Sequence, residues 1–219
     1  AKRLLSLAQE TLDAVGDQAP SGELRLGSME AVAATRLVEP VMRFHRDYPQ
    51  VNLEIRTAPT GDLIAQVLAG DLDMALVADP KPDDRLEQIP IFSEQLVIVS
   101  DLSHPPIHCA QDLTDDPTFM GFSASCAYRG KLTQWVAAGG NRTKVIEINS
   151  YHTLLSCVAG GMGIGLVPIA LLDHYPFAES LQVHPVDTEW GRSVTHFIWR
   201  KDGFKPSIHA FAESVEGNV

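Results

Sequence analysis

Residues 51–78 read Val51-Asn-Leu-Glu-Ile-Arg-Thr-Ala-Pro-Thr60-Gly-Asp-Leu-Ile-Ala-Gln-Val-Leu-Ala-Gly70-Asp-Leu-Asp-Met-Ala-Leu-Val-Ala78, and this stretch decides the fold. Val51, Leu53 and Ile55 alternate with Asn52, Glu54 and Arg56, the period of a strand with one buried face. Thr60 is a candidate N-cap, Leu63, Ile64, Val67 and Leu68 recur at helical spacing, and Gly70 is a C-terminal stop. Met74 to Ala78 is apolar throughout, the mark of a short strand covered on both faces. Strand, helix and buried strand make a βαβ unit, which calls for a parallel sheet.

The same grammar extends outward. Upstream, Leu24 and Leu26 alternate with Glu23 and Arg25, and Gly27-Ser28 closes that strand. A helix follows within residues 29–47, where Pro40 implies either a kink or a late start, and Tyr48-Pro49 ends it. Downstream, residues 80–84 form a loop and Leu96 to Val99 a further buried strand, so residues 23–100 read as β-α-β-α-β. Asp101 to Pro117, rich in Pro, His and Asp, reads as a crossing into a second lobe. That lobe is expected to hold strands at 119–122, 145–148 and 163–167, with helices at 127–138, 151–159 and 169–174. A strand at 194–199 and a helix at 207–216 return to the first lobe. The predicted fold class is α/β, two Rossmann-like lobes with a ligand cleft between them. Its expected divisions are 1–19 as linker helix and hinge, 20–100 plus 194–219 as lobe I, and 101–193 as lobe II. Leu4, Leu5, Ala8, Leu12 and Val15 predict an amphipathic helix that begins at the first residue, Ala1, and so reads as the end of a longer element.

Composition narrows the function. The 219 residues carry 17 basic and 28 acidic side chains, a net charge of -11, so clustered phosphate contacts are not expected of this chain. Apolar residues at 45% and charged residues at 21% are globular proportions and exclude a disordered chain. No apolar run reaches the roughly 18 residues of a membrane span. Three widely spaced cysteines, Cys109, Cys126 and Cys157, do not make a disulfide framework, and no secretory leader pattern opens the chain. A reducing, cytoplasmic setting is expected.

Six segments fall in a specific order: Gly22-Glu-Leu-Arg-Leu-Gly-Ser28, Phe44-His-Arg-Asp-Tyr-Pro-Gln-Val51, Leu68-Ala-Gly-Asp-Leu-Asp-Met-Ala-Leu76, Phe119 to Arg129, Ser150 to Leu154, and Gly160-Gly-Met-Gly-Ile-Gly-Leu-Val-Pro168. Together they resemble the effector-binding domain of LysR-type transcriptional regulators over about residues 20–215. The resemblance implies a periplasmic-binding-protein type 2 fold and a bacterial repressor or activator. It also implies homodimers through side-by-side effector domains, and homotetramers in the full-length protein. Residues 1–15 are similar to the end of the family's linker helix. The family's winged helix-turn-helix has no counterpart in this sequence, so DNA contact is expected only through such an N-terminal domain.

Four segments place small hydroxyl residues where a helix starts after a strand: Gly27-Ser28-Met29-Glu30, Pro59-Thr60-Gly61, Ser123-Ala-Ser125-Cys126-Ala-Tyr128-Arg129 and Asn149-Ser150-Tyr151-His152. Helix N-termini favour anions, because backbone N–H groups and the helix dipole point there. Taken singly, each reads equally as an ordinary N-cap. Their convergence on one cleft is what the resemblance implies. The candidate ligand-binding residues are therefore Ser28, Met29, Glu30, Thr60, Ser123, Ser125, Cys126, Tyr128, Arg129, Ser150, Tyr151 and His152. Arg129 suits a ligand carboxylate and Glu30 a ligand amine, so a small anionic or zwitterionic effector is expected. Arg129 has an alternative reading as a partner of Glu147 or Asp116.

Rival readings leave weaker marks. Cys126 opens a helix, where a thiolate is favoured and a lowered pKa is expected, so a Cys126–His152 nucleophile or a redox sensor is conceivable. A buried packing cysteine accounts for it as well, no triad is assembled, and no enzyme activity is expected. His104-Pro-Pro-Ile-His108-Cys109 looks like a metal-ligand run, but its prolines prevent the helical turn that brings two imidazoles together. The Gly160 to Gly165 run precedes a strand and is not a dinucleotide fingerprint. No cofactor, metal or membrane partner is expected. A solute-binding protein of a transport system is the alternative on the same fold.

Overall fold

The computed structural model describes residues 19–113, 117–142 and 144–216. The expected helix at 1–15, residues 16–18 of the linker and Asp116 lie outside the described residues. Leu24 and Leu26, both fully buried, anchor β1 (Gly22–Ser28). The helical pattern of residues 29–47 resolves into α1 (Glu30–Thr35) and α2 (Val38–Asp47). Pro40 sits in the first turn of α2, where a missing N–H costs nothing, so its signal is a late start. The opening stretch then delivers β2 (Val51–Thr57), α3 (Thr60–Ala69) and β3 (Met74–Ala78), the last buried at every position.

β4 (Leu86–Asp101) is far longer than the expected 96–99 strand. After it come β5 (Thr118–Gly121), α4 (Ala127–Ala138), β6 (Lys144–Glu147), α5 (Tyr151–Ala159) and β7 (Ile164–Pro168). The expected helix at 169–174 is a 3₁₀ turn. β8 (Leu181–Pro185) and α6 (Thr188–Gly191) have no counterpart in the sequence reading. β9 (Arg192–Arg200) and α7 (Pro206–Glu216) complete the described chain.

The described residues pack as two units. Unit 1 holds those up to Ala58, Asp62–Phe92 and those from His196 onward; unit 2 holds Pro59–Gly61 and Ser93–Thr195. Apart from the short excursion at Pro59–Gly61, the chain changes unit inside strands β4 and β9.

In unit 1, β1 pairs in parallel with β2 on one side and β3 on the other. Its aromatic core joins α2, β9 and α7, with Phe44 and Phe211 rings 5.1 Å apart and Phe197 stacked on Phe211 at 6.3 Å. In unit 2, β5 likewise pairs in parallel with β6 and β7. Phe119, Met120, Val136, Leu154, Val158 and Val167 form its buried core.

The sequence reading that gathers Leu96 to Val99 into the parallel unit of residues 23–100, as its fourth strand, is corrected by this pairing. β4 runs antiparallel to both β7 and β8. Only residues 79–85 separate β3 from β4, too short for the dozen or so residues a parallel crossover requires.

Candidate functional site

Both units repeat one topology. In each, the first of three parallel strands becomes the central one, flanked by the second and third in the orders β2-β1-β3 and β6-β5-β7. The chain therefore leaves the central strand in one direction and returns past it in the other. With right-handed crossovers, the two connecting helices lie on opposite faces and a crevice opens beyond the carboxyl end of the central strand. Residues 28–30 occupy that place in unit 1 and residues 122–125 in unit 2.

In unit 1, Ser28 ends β1 fully buried and donates its hydroxyl to the Met29 carbonyl at 3.0 Å. Met29 caps α1 and its N–H bonds the Leu76 carbonyl at 3.2 Å. Glu30, half-buried, is the acidic residue of α1's first turn. Met29 and Ser28 are thus committed to local structure, while Glu30 places negative charge at the strand edge.

Unit 2 gathers the other nine candidates. The register pairs Gly121 with Glu147, and the Ile148 N–H bonds the Gly121 carbonyl at 2.8 Å. The starts of α4 and α5 are thereby set side by side, and the Phe122 and Tyr151 rings pack at 4.6 Å between centroids. Ser123 and Ser125 share a hydroxyl–hydroxyl bond of 2.9 Å. The Ser125 carbonyl accepts the Gly61 N–H at 2.9 Å, which brings buried Thr60 beside the serine loop. A side chain at Gly61 would press on Ser125, its Cβ falling 3.1 Å from the serine Cβ. Ser150 caps α5 through its backbone, since its carbonyl receives the Leu154 N–H at 2.9 Å.

Neither α4 nor α5 has a side-chain cap or an acidic residue in its first turn. Their N-terminal dipoles therefore lack the negative side chains that complement α1, α2 and α3. Arg129 pairs with Glu147, the partner its alternative reading names: Nη1 donates to the Glu147 carboxylate at 2.6 Å and to the Phe122 carbonyl at 2.9 Å. Glu147 is 56% exposed against 21% for Arg129, so the arginine's partner is the more solvated of the two.

Cys126 departs from expectation. Burial pushes its thiol up from the ordinary value, and the Arg129 and Tyr128 amides with the Arg129 charge pull the other way without prevailing. The helix terminus is present, but desolvation of the thiolate outweighs it. His152 is exposed, with its ring against Tyr175 at 5.9 Å. Tyr128 and Tyr151 are buried and belong to the walls of the unit.

Among the described residues, no group of three His, Cys, Asp or Glu is placed to hold a metal ion. The His104 to Cys109 run is organised otherwise: His104 Nδ1 donates to the Pro105 carbonyl at 2.7 Å, and Asp112 accepts the His108 and Cys109 amides at 2.7 and 3.0 Å. In the glycine run, Gly163 is required by contact, because a Cβ there would collide with the Thr118 carbonyl oxygen of β5. Phe122 and Gly61 were outside the sequence-based site list; the parallel β5–β6 register is the signal that finds the first.

Comparison with known proteins follows the same lines. The family model of the LysR substrate binding domain matches residues 17–218. The HTH-type transcriptional regulator GltR of Bacillus subtilis (strain 168) is 32% identical over 213 residues, spanning 96% of this chain and 72% of that protein. The HTH-type transcriptional regulator CzcR of Bacillus anthracis is 32% identical over 201 residues, 91% of this chain and 68% of the relative. Among solved structures, full-length OxyR from Pseudomonas aeruginosa superposes with a TM-score of 0.77 at 21% identity, covering 98% of this chain and 81% of its own. The effector-binding domain of QuiR in complex with shikimate gives 0.75 at 19% identity, covering 90% and 97%. At these identities the structural likeness establishes the type 2 periplasmic-binding-like fold.

Proposed function

Because this chain belongs to the LysR substrate-binding domain family, we propose that it senses a small anionic or zwitterionic metabolite on behalf of a bacterial transcriptional regulator. It is an effector-binding domain of LysR-type regulators, not an enzyme. The observation that carries the anionic reading is the pair of adjacent helix N-termini in unit 2, without side-chain caps or first-turn acids, with Arg129 beside them. Thr60, Ser123, Ser125, Cys126, Tyr128, Ser150, Tyr151 and His152 supply hydroxyls, amides and walls around that point. An effector carboxylate takes over Arg129 from half-exposed Glu147, exchanging one carboxylate for another. Ser28, Met29 and Glu30 are proposed to contribute from unit 1, with Glu30 receiving an amine.

We further propose that the domain forms homodimers, and homotetramers within the full-length regulator. Val38 and Met42, one turn apart on α2, are 63% and 68% exposed, and Ile55 on the sheet-edge strand β2 is 41% exposed. Such surface is what a self-association face offers. DNA contact falls to a helix-turn-helix part of the whole regulator, because a chain of net charge -11 is poorly suited to phosphates. A cytoplasmic setting fits this role; no described helix is long and apolar enough to cross a membrane.

Thermal-shift screening of small carboxylates, amino acids and polyamines tests the reading, since a specific ligand raises the melting temperature with saturation. Carboxylates and amino acids should stabilise the chain, and Arg129→Ala should abolish the shift. Stabilisation by polyamines alone, unaffected by Arg129→Ala, would overturn it. Glu30→Ala should weaken amino acids and leave plain carboxylates unchanged. On size-exclusion chromatography a dimer is expected, whereas a strict monomer points to the transport-type alternative.

A further inference from the structure

His184 is the inward-facing residue of β8, 5% exposed, and both of its ring nitrogens are engaged. The Ile107 backbone N–H, which can only donate, lies 3.1 Å from Nδ1. Nδ1 must therefore present its lone pair, and the ring proton sits on Nε2. Nε2 donates to the Ser100 hydroxyl at 2.8 Å, which in turn donates to the Asp101 carbonyl at 3.1 Å. Every donor and acceptor in this chain is matched only when the imidazole is neutral.

The segment gripped in this way connects β4 to β5. Its near end is held independently of protonation, because Gln182 Nε2 donates to the Leu102 and His104 carbonyls at 2.7 and 2.9 Å. Its far end reaches α4: Asn141 Nδ2 donates to the Ala110 carbonyl at 2.9 Å, and a Cβ on Gly139 would fall 2.6 Å from the Ala110 Cβ. Between the two, Ile107 is buried at 2% exposure. Among the described residues, the ring's surroundings supply no compensating anion. Asp101, at the end of β4, is engaged by Ser103 and acts on His104; Asp112 is engaged by the His108 and Cys109 amides and acts on His108. What acts on His184 is burial first, then the charges of His104 and His108, and all three oppose its protonation. The His104 ring stands 6.3 Å from it.

We propose that His184 is a proton-operated latch that clamps Ile107 and its flanking segment onto β8 when neutral and releases them when protonated. A proton on Nδ1 turns an acceptor into a second donor facing the Ile107 N–H. Release frees residues 105–109 while Gln182 keeps 102–104 in place, so the motion is a local opening beside the C-terminus of α4. His184 holds its ordinary neutral form to lower pH than a free histidine, so the latch opens on acidification below the usual imidazole range.

Amide hydrogen exchange resolved by NMR on the full chain tests this, with rates corrected for intrinsic pH dependence. The Ile107 amide should lose protection about tenfold per pH unit once the ring titrates, because the neutral fraction falls by that factor. Amides of Val97 to Val99 in β4 should stay unchanged over the same range. In His184→Asn, whose side-chain oxygen accepts the same N–H and does not titrate, Ile107 protection should be independent of pH. A flat wild-type profile from about pH 7.5 down to about pH 4, or an equal fall in His184→Asn, overturns the latch. Should His184→Asn not fold, the wild-type imidazole nitrogen shifts decide: His184 must protonate in the same step in which Ile107 loses protection, and protonation at a different pH refutes the proposal.

Discussion

Asp73→Ala should be among the most destabilising single substitutions in unit 1. Asp73 precedes β3, its side chain is 5% exposed, and one carboxylate there serves two cations. Oδ2 accepts the Arg25 backbone N–H at 2.8 Å and Arg25 Nε at 3.2 Å; Oδ1 accepts Arg25 Nη2 at 2.7 Å and Lys205 Nζ at 3.0 Å. This ties β1, the entry to β3 and the segment before α7 together. Burial pushes the carboxyl up, but the Arg25 hydrogen bonds and Lys205 outweigh it and hold it below its ordinary 3.8. Its contribution is therefore fully present above that value and is lost as pH falls through the lower folded value. Removing one partner of a buried ion pair costs about 3–5 kcal/mol, because the other charge stays behind. Arg25, 22% exposed, recovers some hydration, so about 2–4 kcal/mol is expected. In urea, with a slope of about 2 kcal/mol per molar, the midpoint should fall by about 1–2 M, followed through Trp199 of unit 1. Asp47→Ala, which removes an exposed partner of Arg46, is the control and should leave the midpoint in place. If Asp73→Ala shifts no more than Asp47→Ala, or if Asp73→Ala and Arg25→Ala add without coupling, the buried triad does not stabilise unit 1.

Gly139→Ala should destabilise unit 2 by about 1–3 kcal/mol, because its Cβ meets the Ala110 backbone at 2.7 Å; a thermal midpoint equal to wild type would contradict the contact. Cys126 should react with a thiol reagent at neutral pH more slowly than Cys109 or Cys157, since burial raises its pKa from 9.0. Faster labelling of Cys126 would restore the redox reading. Met42→Glu should shift the chain towards monomer on size-exclusion chromatography without changing its melting midpoint, and an unchanged dimer would place the self-association face elsewhere.

Elements with one unbroken period were legible from residues alone. Met74 to Ala78, Ala127 to Ala138 and Tyr151 to Ala159 emerge with the expected bounds because each has a single pattern and a clean stop. β4 was readable only at its apolar end: its first ten residues mix Pro90, Ser93 and buried Glu94 into the alternation. β8 was hidden because its two buried positions, Leu181 and His184, do not alternate and one of them is a histidine. Strand direction is not written in periodicity at all, and only the shortness of residues 79–85 carries it. The candidate site was legible to the extent that it consists of strand ends followed by helix starts. Which partner Arg129 takes depends on β6 lying beside β5, a tertiary fact that one sequence does not display.

The acidic surplus bears on the effector in a way the net charge conceals. At physiological ionic strength a charge is screened beyond about 8 Å, so an anion at a strand edge responds to its immediate neighbours rather than to the total of -11. Those neighbours differ between the units. α1, α2 and α3 each place an acid in the first turn, Glu30, Glu39 and Asp62, which complements the helix dipole by about 0.3–1 kcal/mol apiece. α4 and α5 forgo that stabilisation, and α4 carries Arg129 in its place, where an arginine opposes the dipole. A helix start that renounces its favourable charge and accepts an unfavourable one is stabilised when an anion arrives.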